Sequence, residues 1–346
     1  MADKEERVRG LKAVQEHRES RSKMRWPPAK YWGYAGVVLL LMSIFHYKRT
    51  LSELDRMRNQ LLGKQRFVKT EVEPKWAPLR DKMEKWTQEL AKGPVEDFTD
   101  KEALAKWSFR DKKGVYLRLR TEDAESADTL RKAAKDSLRD AFTACLALVP
   151  NQDPLSGHAC KRSSECGRGE HCNEQDHCSK PAQPFNLRIA YRAFSVLSDD
   201  WVRQVQEGSE MTVRALDGTF DDLVKDDMPM ATDLVREAQY FLVLIDEKAE
   251  NEPAPAPPGS TTGSSNPNEI RQALQHFARI GVWRLTDDKP MVRLRRETAG
   301  TLMGNPGNVD PSVADARQRQ ANSCSLAIAV RQAIGDTNAA AAPPNE

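Results

Sequence analysis

Four cysteines recur at one spacing: Cys160, Cys166, Cys172 and Cys178, each separated from the next by five residues. Between them lie Lys, Arg, Ser, Glu, Gly, Asn, Gln, Asp and His, none of which builds a hydrophobic core. A segment of this composition buries too little apolar surface to offset the entropy of ordering it, so a cross-link must hold it. With His158, His171 and His177 alongside, three chemistries fit: two disulfides, a Cys/His zinc site, or reactive thiols. Zinc ligands usually arrive as knuckles with about two to four intervening residues, because a tight turn must aim two thiolates at one ion. Disulfides accept any loop that brings the Cα atoms within about 7 Å. The spacing of five favours disulfides, leaves their connectivity open, and points to an oxidising compartment.

The pattern Cys…Ser-x-Cys-x-x-Gly…Cys…Cys is carried by Cys160, Ser164, Cys166, Gly169, Cys172 and Cys178. It resembles the short cysteine repeats of extracellular proteins of the Dickkopf-like or EGF-like sort. The resemblance covers residues 160–178 only. It implies an oxidising surrounding and says nothing about the rest of the chain.

Two cysteines remain. Cys145 sits in LRKAAKDSLRDAFTACLAL, where Ala134, Leu138, Ala141, Phe142, Cys145 and Leu148 are apolar at helical spacing. Cys324 lies in a second such run, beside Ala321, Ala327 and Ile328. Both residues are expected to face the core, and an even cysteine count in an oxidising space pairs them, Cα to Cα under about 7 Å. The alternative is two buried thiols packing as small hydrophobes.

Tyr31 to Tyr47, YWGYAGVVLLLMSIFHY, contains no Asp, Glu, Lys or Arg and is bracketed by Lys30 and Lys48. Trp26, Tyr31, Trp32 and Tyr34 crowd one end and Tyr47 the other, as interfacial aromatics do. The run is read as an uncleaved signal anchor, a single transmembrane helix over 31–47, because it starts late for a cleaved signal and lacks a small-x-small site. Both flanks are basic, so the positive-inside rule leans only slightly toward a cytoplasmic N-terminus, and the cysteines carry the orientation.

These readings divide the chain into a cytoplasmic arm (1–30), the span (31–47), a helical stalk (48–106), an α+β domain (107–335) and a disordered tail (336–346). Leu54, Leu61 and Val68 suggest a short coiled coil, Pro74 and Pro78 break the stalk, and Leu79, Met83, Trp86 and Leu90 mark a further amphipathic helix. Within the domain, strands are expected at Val115–Arg120, FNLRIAYRA (185–193), Gln239–Asp246 and in GVWRLTDDKPMVRLRRE, as a mixed sheet with helices packed on it. Residues 156–181 form a cysteine-rich insertion and 252–268 a disordered Pro/Gly/Ser loop. Ser198 caps one helix, 230–238 and 269–279 form two more, and the last starts with Pro311 at its first position.

Net charge is +2 with 30% charged residues, so no global basic field attracts nucleic acid. No Gly-x-Gly-x-x-Gly, P-loop, His-Glu-x-x-His or nucleophile elbow is present, and no cofactor or resident metal is expected. Arg118, Arg120, Arg188, Arg192, Arg284, Arg293 and Arg295 fall on the polar parity of the expected strands. Together they would stud one sheet face as a candidate site for an anion or acidic partner. The bland alternative is a solvated face whose arginines pair with nearby acids. The chain therefore reads as a non-enzymatic, membrane-anchored envelope protein with an extracytoplasmic domain that engages a protein partner. A zinc-binding Cys/His module and an enzyme with an unfamiliar site stand as alternatives.

Overall fold

The structure is a computed structural model. It describes residues 29–105, 107–109, 111–137, 141–147, 157–162, 165–167, 170–172, 176–179, 183–252, 267–300 and 311–335. The tail and most of the arm and of the Pro/Gly/Ser loop expected from sequence lie outside these residues. The chain divides into two compact units between Asn59 and Gln60.

Helix α1, Ala29–Lys92, is the longest element. In the first unit its side chains from Trp32 to Phe45 include ten large hydrophobics that are 46–72% exposed. Among the described residues no helix is long and apolar enough to cross a membrane. The run 31–47 is short for a hydrocarbon core, and Gly33, Gly36, Ser43 and His46 dilute it. The transmembrane span read from sequence is therefore unsupported by the fold.

In the second unit, α1 does not end at Pro74 or Pro78. An interior proline removes one helix hydrogen bond and crowds the preceding turn, costing about 3 kcal/mol. Burial of Leu61, Trp76, Met83, Trp86 and Leu90 offsets it, each large side chain contributing about 1.5–3 kcal/mol. Trp76 packs edge-on against Tyr191 at 5.4 Å, and Trp86 stacks parallel on Trp283 at 5.5 Å. Residues 60–92 thus form part of the domain rather than a free stalk. Leu61 is already covered within the chain, which leaves the coiled-coil reading without support. The helix ends against Arg279, whose Nη1 donates to the carbonyls of Leu90, Ala91 and Gly93 at 3.1, 2.7 and 2.6 Å. That guanidinium satisfies acceptors a helix C-terminus otherwise leaves open.

The remaining elements follow in order. They are β1 (Phe98–Thr99), α2 (Lys101–Leu104), β2 (Gly114–Arg120), α3 (Ala127–Ala134), α4 (Phe142–Ala147), β3 (His171–Cys172), β4 (Cys178–Ser179), β5 (Phe185–Asn186) and α5 (Arg188–Ala193). Then come α6 (Asp199–Glu207), α7 (Glu210–Asp222), α8 (Met228–Glu237), β6 (Tyr240–Asp246), α9 (Pro267–Ala273), β7 (Phe277–Arg284), β8 (Lys289–Glu297) and α10 (Pro311–Ala333). The fold is α+β: a six-stranded mixed sheet of order β1-β8-β7-β6-β2-β5 with helices packed on it. β2 runs parallel to β5 and β6, while β6, β7, β8 and β1 pair antiparallel.

Strand β6 is buried along its whole length, as its unbroken apolar sequence requires. Strand β2 is buried up to Leu119 as well, so its alternation does not mark a wet face. The segment 185–193 departs most from expectation, since only Phe185 and Asn186 are strand. Leu187, Ala190, Tyr191 and Phe194 recur at i, i+3, i+4 and i+7, a helical stripe that also passes for alternation over a short window. Asn186 decides between them: its Oδ1 accepts the Arg188 N–H at 2.9 Å, turning the chain into α5. The helix expected over 269–279 stops at Ala273, and β7 begins at Phe277. Helix α7 had no counterpart in the sequence reading. Ser198 caps α6 through Trp201 N–H, and Gly335 takes a φ of 76° just past α10.

Candidate functional site

The insertion is held by Cys160–Cys172 and Cys166–Cys178, each pair twelve residues apart. β3 and β4 form a small hairpin in which Cys172 faces Cys178, turning through Asp176 at a φ of 57°. Outside it, Ala159 bridges His177, the Cys160 N–H donates to Asp176 O at 2.8 Å, and the Cys178 N–H donates to His158 O at 2.9 Å. Gly157 is required where this strand crosses: a Cβ there would lie 1.7 Å from Cys178 O. The result places His158 Nε2 3.2 Å from Cys178 Sγ and 3.2 Å from Glu165 O. Ligand atoms of His158, Cys166 and Cys178 lie within 4.8 Å of one another.

Cys145 and Cys324 are joined, with Cα atoms 5.3 Å apart. Phe142 and Leu146 of α4 share a hydrophobic core with Leu326, Ala327 and Val330 of α10 and with β6, β7 and β8. The expected pairing follows from two helices lying side by side on one sheet face. Leu138 and Leu148 of the predicted stripe lie outside the described residues.

The arginines do not share a face. Arg188 and Arg192 sit on α5, and Arg192 reaches Lys135 O and Asp136. Arg120 is bidentate to Asp123, Arg284 to Asp287, and Arg295 to Glu247. Arg295 also lies over the Phe277 ring at 3.8 Å, and Arg293 over Trp283 at 5.9 Å. Arg118 is buried. Arg120, Arg192, Arg284 and Arg295 thus each engage a nearby carboxylate, and Arg293 and Arg295 each lie over an aromatic ring.

Arg118 is the centre of something the strand parity hid. Its Nε and Nη2 donate to Asp246 Oδ2 and Oδ1 at 2.7 and 2.9 Å, and Nη1 donates to Ser323 Oγ at 2.9 Å. His276 Nε2 lies 3.0 Å from Asp246 Oδ1. Burial alone would push the Asp246 carboxyl up, but Arg118 and His276 together hold it well below the usual carboxylate range. Beside it, Arg271 is bidentate to both Glu122 and Glu252, at 2.7–2.8 Å throughout. Burial works against the charge of Arg271, and the two carboxylates more than restore it. Asp246 ends an otherwise apolar strand, and a charge at that position was the one sequence signal for this node.

Fold and site together define an α+β domain with a disulfide-bonded insertion and a buried network of paired charges. No protein-family model, curated protein or solved structure matches the chain.

Proposed function

We propose that the chain is a membrane-anchored envelope protein whose α+β domain works outside the cytoplasm in binding or assembly, without catalysis. The observation that carries this reading is the cysteine inventory: all six form three disulfides, and such bonds persist in oxidising compartments. The anchor in this reading is the uncharged run 31–47, supported by its exposed apolar side chains and its aromatic and lysine flanks. The buried acid and base groups engage one another, with Asp246 committed to Arg118 and His276, which favours a structural use over proton transfer. A protein partner is the occupant this architecture suits.

The test is a reporter fused after Glu346, read in both compartments, together with alkaline extraction of membranes. Activity only outside the cytoplasm and retention in the membrane pellet support the proposal. A cytoplasmic C-terminus overturns it. In the disulfide-bonded chain the insertion sulfurs are not thiolates, the form that binds zinc, so a module using all four cysteines requires both insertion disulfides to be reduced.

A further inference from the structure

The Cys166–Cys178 bond joins two sulfurs that stand beside an imidazole. Backbone pairing fixes that imidazole: the Cys178 N–H donates to His158 O, the Ala159–His177 bridge continues the pairing, and Gly157 lets the strands approach. The second disulfide, Cys160–Cys172, independently ties this segment to β3, which pairs with β4. Opening Cys166–Cys178 therefore leaves His158 Nε2 held near Cys178 Sγ and frees two thiolates around it.

We propose that His158, Cys166 and Cys178 form a redox-gated site for a borderline-soft divalent cation of the zinc class, closed by the disulfide and opened by its reduction. Two thiolates and one imidazole suit zinc, and three protein ligands leave a fourth position for water or a partner's donor. Tetrahedral zinc with Zn–S of about 2.3 Å and Zn–N of about 2.0 Å needs sulfurs about 3.8 Å apart and S···N of about 3.5 Å. The three atoms already lie within 4.8 Å, so the main change is separation of the sulfurs.

A dithiol supplies the electrons. One of its thiolates attacks Cys166 Sγ, the partly exposed sulfur, forming a mixed disulfide and expelling Cys178 Sγ as thiolate beside His158. The second thiolate of the dithiol attacks its own bonded sulfur and releases Cys166. The dithiol leaves as a disulfide, two electrons pass to the chain, and the two protons of the dithiol balance the new thiols. Zinc then displaces those two protons to solvent. The inference concerns the insertion alone and stands or falls independently of where the chain resides.

The test uses the full chain with limiting dithiol, alkylation and peptide mass mapping, then zinc titration against a competing chelator and cobalt(II) as a spectroscopic substitute. Cys166 and Cys178 should be alkylated before the other four cysteines. One zinc per chain should bind after reduction and none before. His158→Ala should weaken binding at least about tenfold. Cys166→Ser, which keeps the imidazole and its backbone pairing, should weaken zinc similarly and roughly halve the thiolate-to-cobalt charge-transfer band, one of two thiolates being lost. Equal uptake by oxidised and reduced chain, no uptake after reduction, another pair freed first, or unchanged affinity in both variants overturns the site.

Discussion

Trp86 lies flat on Trp283, with ring centroids 5.5 Å apart and planes within 1° of parallel. Gly281 makes the room, since a Cβ there would lie 2.3 Å from the Trp283 ring. The stack joins helix α1 to the sheet, so Trp86→Ala should destabilise the domain by about 3–5 kcal/mol, the range for truncating a buried aromatic. Denaturant midpoints at unchanged slope measure it. A loss under about 1 kcal/mol, the range of surface changes, would mean that α1 is an accessory to the fold.

Removing Asp246 tests the buried charge node. Asp246→Asn leaves Arg118 without its counter-ion, and breaking one partner of a buried pair costs about 3–5 kcal/mol. The pH dependence has a definite sign. The folded carboxyl sits below its unfolded value of about 3.9, so its contribution is complete above that pH and is lost as pH falls through the depressed folded value. Urea midpoints taken from neutral pH into acid should therefore fall more steeply for the parent chain than for Asp246→Asn. Parallel acid limbs would show that Asp246 is not the group responsible.

The Cys145–Cys324 bond closes a loop with a sequence separation of 179, for which the chain-entropy account gives about 5 kcal/mol. The double variant Cys145→Ser/Cys324→Ser should lose about 2–5 kcal/mol, and added reductant should then shift its unfolding midpoint less than it shifts the parent's. An equal shift would place the reductant sensitivity in the insertion instead.

The insertion contributes little to the main core, because its hairpin forms a separate two-stranded sheet. Replacing residues 156–181 with a short Gly/Ser linker should change domain stability by less than about 1 kcal/mol. A loss beyond about 3 kcal/mol, measured by thermal melting, would make the insertion a structural member.

Much of this architecture is legible in the sequence. The unbroken apolar run at 240–246 gives the central strand, the turn before Lys289 gives the β7–β8 hairpin, and two apolar stripes bring Cys145 to Cys324. Where the reading failed, two patterns coincided or a distant contact prevailed. Leu187 to Phe194 satisfies both periods, and only Asn186 breaks the tie. Pro74 and Pro78 stop an isolated helix but not one anchored by Trp76 and Trp86. Arg118 falls on the polar parity of its strand, yet Asp246, 128 residues away, draws it inside. Of the site, the spacing of the four cysteines announces disulfides, while the pairing Cys160–Cys172 and Cys166–Cys178 comes from the fold. The placement of His158 depends on a strand crossing at Gly157 that no local pattern encodes.

The link from α4 to α10 also makes part of the chain a covalent ring. Residues 253–266 fall inside it along the sequence, and Glu252 and Arg271, on either side of them in the chain, are ion-paired. A protease that cuts between 253 and 266 would produce two polypeptides that still migrate as one molecule on a gel until a thiol is added. Chain integrity and backbone continuity thus become separate properties in this protein, and only the first depends on the redox state around it.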